Sequence, residues 1–122
     1  MTMTTIMHTT NLGDEENLAF EHSVALAHAG GSMLVAVHAN APDKALARMP
    51  EAGPVLERWG HLPESVSYQK QIHNCCDDPV ETLLDAAQGL EPDLVVVTTH
   101  NRSAIGRLFG GRRAESIAHN FS

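Results

Sequence analysis

Residues 77–98 read DDPVETLLDAAQGLEPDLVVVT, and this stretch decides the fold. Asp78 has the side chain of a helix cap. Pro79 suits the first helical position, where a missing N–H costs nothing, and Glu81 completes a capping-box-like spacing. Val80, Leu83, Leu84 and Ala87 then recur at i, i+3, i+4 and i+7, one stripe of an amphipathic helix. Gly89 is expected to end that helix, and Pro92 bars its continuation. Residues 93–98 are apolar on successive positions rather than alternate ones. That pattern belongs to a strand covered on both faces, hence to a parallel sheet between helices.

The same alternation runs upstream. Residues 4–10 (TTIMHTT) form a β-branched run, read as a strand. A helix is expected from Asp14, with Glu15 and Glu16 at its positive end. Ala19, Phe20, Ser23, Leu26 and Ala27 form its stripe, and Gly30-Gly31 is its stop. Residues 32–38 (SMLVAVH) are a second continuous apolar strand. The part between 40 and 64 holds four of the six prolines. It supports only short helices, at 44–49 and 55–59, with Trp59 as a packing anchor. Residues 65–72 (SVSYQKQI) alternate, with Val66, Tyr68 and Ile72 opposite Ser65, Ser67, Gln69 and Gln71. That is a half-exposed strand at a sheet edge.

The last periodic segment, residues 111–120, carries Ala114, Ile117, Ala118 and Phe121 at helical spacing. The expected order is therefore β-α-β-α-β-α-β-α, an α/β domain over 1–122 with a doubly wound parallel sheet. On this reading a fifth strand is absent from the chain. Residues 93–98 are left as an apolar edge, so a homodimer, or fusion to a second domain, is expected.

Composition narrows the function. The chain has 122 residues and a net charge of −7, which disfavours a nucleic-acid partner. There is no run of about 20 apolar residues to span a membrane and no signal-peptide pattern. Adjacent cysteines, Cys75 and Cys76, are not expected to bridge each other, so a reduced, cytoplasmic setting is expected. Four of the eight basic residues, Arg102, Arg107, Arg112 and Arg113, cluster in a segment with no carboxylate between Asp93 and Glu115. Either this loop takes a small anion or it is a solvated arginine segment. No nucleophile lies beside a base and no carboxylates are paired, so catalysis beyond a weak ATPase is not expected.

Two stretches carry a family resemblance. IMHTTNLGDEENLAFEHSVALA, residues 6–27, is similar to the first strand, acidic loop and first helix of the universal stress protein family. DDPVETLLDAAQGLEPDLVVVTTHNRSAIGRLFGG, residues 77–111, resembles its third helix, fourth strand and glycine loop. The resemblance implies an adenine-nucleotide-binding-like fold with strand order 3-2-1-4(-5). It also implies a binding and regulatory module with ATP or ADP at the rim between strands 1 and 4. ATP-binding members carry G-x2-G-x9-G-[ST] after the fourth strand. The aligned positions here are Thr98, Asn101, Gly111 and Arg112, so the spacing is kept and three identities differ. Asn11 stands where the family has an acidic residue, and its amide still hydrogen-bonds a base or ribose. Gly110 and Gly111 open a helix whose N–H groups favour anions. Arg112 offers a fork of donors to phosphate, Asn101 tolerates a left-handed backbone, and His38 and His100 lie on the same rim.

A second ligand chemistry competes for that rim. Eight histidines occur in the chain. His22, His28 and His119 fall on expected helices, facing solvent. His8, His73, Cys75, Cys76 and His100, with His38 and Asp77 nearby, fall within or at the ends of strands and form a zinc-type donor set. Against both ligands stands the plainer reading, in which Cys is a small buried hydrophobe, His bonds to a neighbour, and the chain is a structural half of a tandem or dimer with no ligand.

Overall fold

The structure, a computed structural model, describes residues 4–9, 16–98 and 117–121. Five strands form one sheet: β1 (Thr5–Thr9), β2 (Met33–Ala39), β3 (Ser67–His73), β4 (Leu94–Thr98) and β5 (Ile117–Phe121), in the order β3-β2-β1-β4-β5. Every pairing is parallel. Helices α1 (Glu16–Gly30), α2 (Ala52–Arg58) and α3 (Pro79–Leu90) connect them, with 3-10 turns at Asp43–Arg48 and Pro63–Ser65.

The pleat sorts the core into two layers. Ile6, Leu34 and Val96 pack with Phe20, Val24 and Ala27 of α1 and with Val55 and Leu56 of α2. Their chain neighbours Met7, Val35 and Val95 pack on the other face with Leu83 and Ala86 of α3. Successive side chains of a strand point to opposite faces, so a helix on each side requires apolar residues at consecutive positions. This is the continuous run read in the sequence. β3 lies at the edge, as its alternation predicts.

Helix ends are set by local chemistry. Gly31, at φ +64°, closes α1 while Ser32 N–H donates to Ala27 O at 2.9 Å, the six-to-one bond of a Schellman cap. At α3, Asp78 Oδ1 accepts from Val80 N–H at 3.0 Å. Gly89, however, does not end α3. The helix runs on to Leu90, and Glu91 takes the left-handed cap at φ 49°, its N–H donating to Ala87 O at 2.8 Å. Pro92 two positions beyond Leu90 supplies the stop that the glycine does not. A methyl added at Gly89 meets nothing within 4 Å. Gly89→Ala should therefore raise the unfolding free energy by about 0.5–1 kcal/mol in urea denaturation, and a loss would contradict this placement.

The C-terminal expectation is corrected. Residues 117–120 belong to a strand, not a helix, and β5 pairs along β4 from Leu94↔Ile117 to Thr98↔Phe121. The fifth strand is present in this chain. Positions 117 and 121 share a face at either period, because i and i+4 coincide on a helix and on a strand; a short segment is then ambiguous. The open hydrogen-bonding edge of β4 resolves it, since unpaired backbone groups cost free energy. With β5 paired along it, β4 presents no naked edge to a second copy.

Trp59 is also corrected. It is the cap residue of α2 and 40% exposed; the anchor of that helix is Leu56, fully buried. Of the histidines placed on helices, His28 stacks on His61 with ring centroids 4.0 Å apart and His119 lies in β5.

Candidate functional site

In a parallel sheet all strand C-termini meet one rim, and a ligand crevice opens where the strand order reverses. Here β2 and β3 lie on one side of β1 and β4 and β5 on the other, so the switch point falls between β1 and β4. Thr9 ends β1 at this point. Its side chain is 2% exposed, and its hydroxyl has no hydrogen-bond partner among the described residues. A buried polar group left unmet costs about 1–3 kcal/mol, and native structures leave few of them. His38, half-buried, stands at the end of β2.

The loop between β3 and α3 is bound to this rim by a polar lock. Asn40, at φ 58°, follows β2 and donates its backbone N–H to His73 O at 2.8 Å. Its amide Nδ2 donates to Asp77 O at 3.1 Å, and its Oδ1 accepts from Thr82 Oγ1 at 2.9 Å. Thr82 is fully buried; its oxygen also accepts from Cys76 N–H at 3.3 Å. Ala41 N–H donates to Asn74 Oδ1 at 2.9 Å. Two asparagines and a threonine thus hold the loop from both sides.

Among the described residues the zinc-type set does not come together; His100 lies outside them. His8 is fully buried in mid-sheet, its Nδ1 3.0 Å from Ser23 Oγ. Ser23 Oγ donates to Ala19 O at 3.1 Å, so the ring nitrogen is the donor to Ser23. His73 Nε2 bonds Gln71 Oε1 at 2.8 Å. Cys75 and Cys76, expected to be separate, are joined as a disulfide and offer no thiolate. Among the described residues no group of three or more His, Cys, Asp or Glu is placed to hold a metal. His8 sits within β1, His73 at the end of β3 and the two cysteines in the β3–α3 loop.

Of the nucleotide set, His38 and the backbone of Thr98 lie on the rim. Asn11, His100, Asn101, Gly110, Gly111 and Arg112 lie outside the described residues. A cleft of about 350 Å³ between α1 and α2 is bordered by Phe20, Glu21, Glu51 and Arg58. It holds two carboxylates, and its arginine already pairs with Glu21 at 2.9 Å, so it is not a site for an anion.

Residues 3–122 match the model of the universal stress protein family. The chain belongs to the universal stress protein family. Solved members share its fold. A universal stress protein in complex with cAMP has a TM-score of 0.70 at 21% identity, covering 99% of this chain and 98% of that one. The Archaeoglobus fulgidus universal stress protein in complex with dAMP has a TM-score of 0.73 at 12% identity, with 99% and 98% covered. A family member from Burkholderia pseudomallei gives 0.69 at 19%, with 97% and 95% covered. No curated protein matches the chain by sequence. Among the described residues no helix is long and apolar enough to cross a membrane.

Within this universal stress fold, three rim residues escape a reading by sequence motif: Thr9, Asn40 and Thr82. Asn40 carries the one available signal, an asparagine directly after a buried strand, where a left-handed turn is cheap for that residue. Thr82 lies outside the stripe of Val80, Leu83, Leu84 and Ala87 and gives none.

Proposed function

We propose that this universal stress protein is a binding and regulatory module that takes an adenine nucleotide at the strand-end rim between β1 and β4. What carries the reading is that family members of the same fold were solved with cAMP, dAMP and AMP, combined with the buried Thr9 hydroxyl at the switch point of this chain, which has no hydrogen-bond partner among the described residues. Asn11 is assigned to the base or ribose, with His38 and His100 beside it. Thr98 and Asn101 replace the glycines at the phosphate turn. Gly110 and Gly111 present backbone N–H groups, and Arg112 pairs with phosphate oxygens. The module binds rather than turns over its ligand. The zinc reading is not carried further, because its cysteines are bridged and His8 and His73 bond to Ser23 and Gln71.

Calorimetric titration with AMP, cAMP and ATP tests the proposal. A Cβ at position 98 crowds a phosphate that approaches closely. Thr98→Gly with Asn101→Gly should therefore tighten ATP binding about tenfold, or ~1.4 kcal/mol. Arg112→Ala should weaken ATP more than adenosine, since it removes a phosphate contact only. Flat traces for all three nucleotides, in both the natural chain and the glycine variant, would overturn the reading.

A further inference from the structure

The lock on the β3–α3 loop carries a feature that nucleotide binding does not use. Cys75 and Cys76 are adjacent and joined, with Cys75 exposed and Cys76 half-buried. The same Cys76 donates its N–H to Thr82 Oγ1 at 3.3 Å, and its carbonyl oxygen lies 3.2 Å from that hydroxyl. Thr82 in turn donates to Asn40 Oδ1 at 2.9 Å, and Asn40 follows directly on β2. A bond between neighbouring residues closes a small ring around their shared peptide, so opening it frees the torsions on both sides. Those torsions set where the N–H and C=O of Cys76 point. The sulfur chemistry and the polar lock thus meet in one residue.

We infer that Cys75–Cys76 is a reversible thiol–disulfide site whose oxidation state sets the position of the β3–α3 loop on the rim, through Thr82 and Asn40. The reductant is a low-molecular-weight thiol. Its thiolate attacks the exposed Cys75 sulfur, the Cys75–Cys76 bond breaks, and Cys76 leaves as a thiolate that takes a proton. A second thiolate attacks the outer sulfur of the mixed disulfide, releasing the oxidised thiol dimer and leaving Cys75 as a thiol. Two electrons enter the protein and one disulfide forms outside it. Oxidation by the low-molecular-weight disulfide is the reverse.

The test uses the full chain, without nucleotide, equilibrated in glutathione buffers from fully oxidised to fully reduced. Alkylation followed by mass measurement counts thiols, and hydrogen exchange follows the amides of residues 74–82 and Asn40. The site predicts no alkyl groups in the oxidised buffer and two in the reduced one, reversibly. The amides of Cys76, Thr82 and Asn40 should exchange about five- to tenfold faster when reduced, the loss of roughly one net hydrogen bond. Thr82→Val should keep the thiol titration but remove the redox response at Asn40. Cys75→Ser should show no redox response in the loop. Free thiols in the oxidised buffer, or a natural chain whose loop exchange is the same in both buffers, would overturn the inference. Because no nucleotide is present, either result stands apart from the outcome of the nucleotide titrations.

Discussion

Val35→Asp is expected to abolish cooperative folding. Val35 is fully buried in β2, with Met7 and Gln69 as its register partners on either side. Above it lie Leu83 and Ala86 of α3. Among the described residues no cation lies in that cluster, so a carboxylate there is either ionised without a partner or protonated at a cost. Mutational experience with unpaired buried charges is several kcal/mol, on the order of 3–5, against a total stability of about 5–15 kcal/mol for a domain. Circular dichroism during urea unfolding should show no sigmoidal transition, or the variant should accumulate insoluble. A two-state transition with an unchanged midpoint would mean that the α3 layer does not cover β2.

Leu34→Ala probes the opposite layer from the adjacent position. Leu34 is fully buried and packs with Phe20, Val24 and Leu56. Removing it loses transfer free energy and leaves a cavity that the rigid central strands close only in part. The expected cost is about 3–4 kcal/mol, read as a lower urea midpoint with an unchanged slope. Leu62, 69% exposed, is the control: Leu62→Ala should stay within about 0.5 kcal/mol. A sheet covered on one face only would tolerate one of the two β2 substitutions. The doubly wound arrangement tolerates neither.

That contrast also explains what the sequence made legible. Consecutive apolar residues in 32–38 and 93–98 have no good explanation except a sheet covered twice, and both segments are central strands. The alternation of 65–72 reported a strand that is only partly buried, and β3 stands at the end of the sheet, beside β2. Asp78 and Pro79 announced α3 through capping chemistry that is local to the sequence. Long-range pairing was not legible. Residues 117–121 fit a helix or a strand equally by spacing, and only the open side of β4 decides between them. Trp59 looks like an anchor by its size, yet Leu56, three positions earlier, faces the core. The cysteine pair read as separate thiols because neighbouring bridges are uncommon, which is a statement about frequency and not about this loop. The lock of Asn40 on Thr82 spans 42 residues and has no local signature at the threonine.

The glycine loop illustrates the same divide between spacing and identity. Positions 98, 101, 111 and 112 keep the interval of the nucleotide-binding pattern, while their side chains depart from it at three of the four positions. Spacing reports how the backbone is laid out. Identity reports how closely a phosphate can approach. The β1 end adds a second observation, the buried Thr9 hydroxyl, which has no hydrogen-bond partner among the described residues.

The most direct measurement of the central claim is a titration of the isotope-labelled chain with AMP, followed by amide chemical shifts. Saturable shifts are expected at the C-terminal ends of the strands, at Thr9, His38, Asn40 and Thr98. Little change is expected at the opposite ends, at Thr5, Met33, Ser67 and Leu94. Spectra that do not change with AMP, or shifts confined to those opposite ends, would contradict a nucleotide site on this rim.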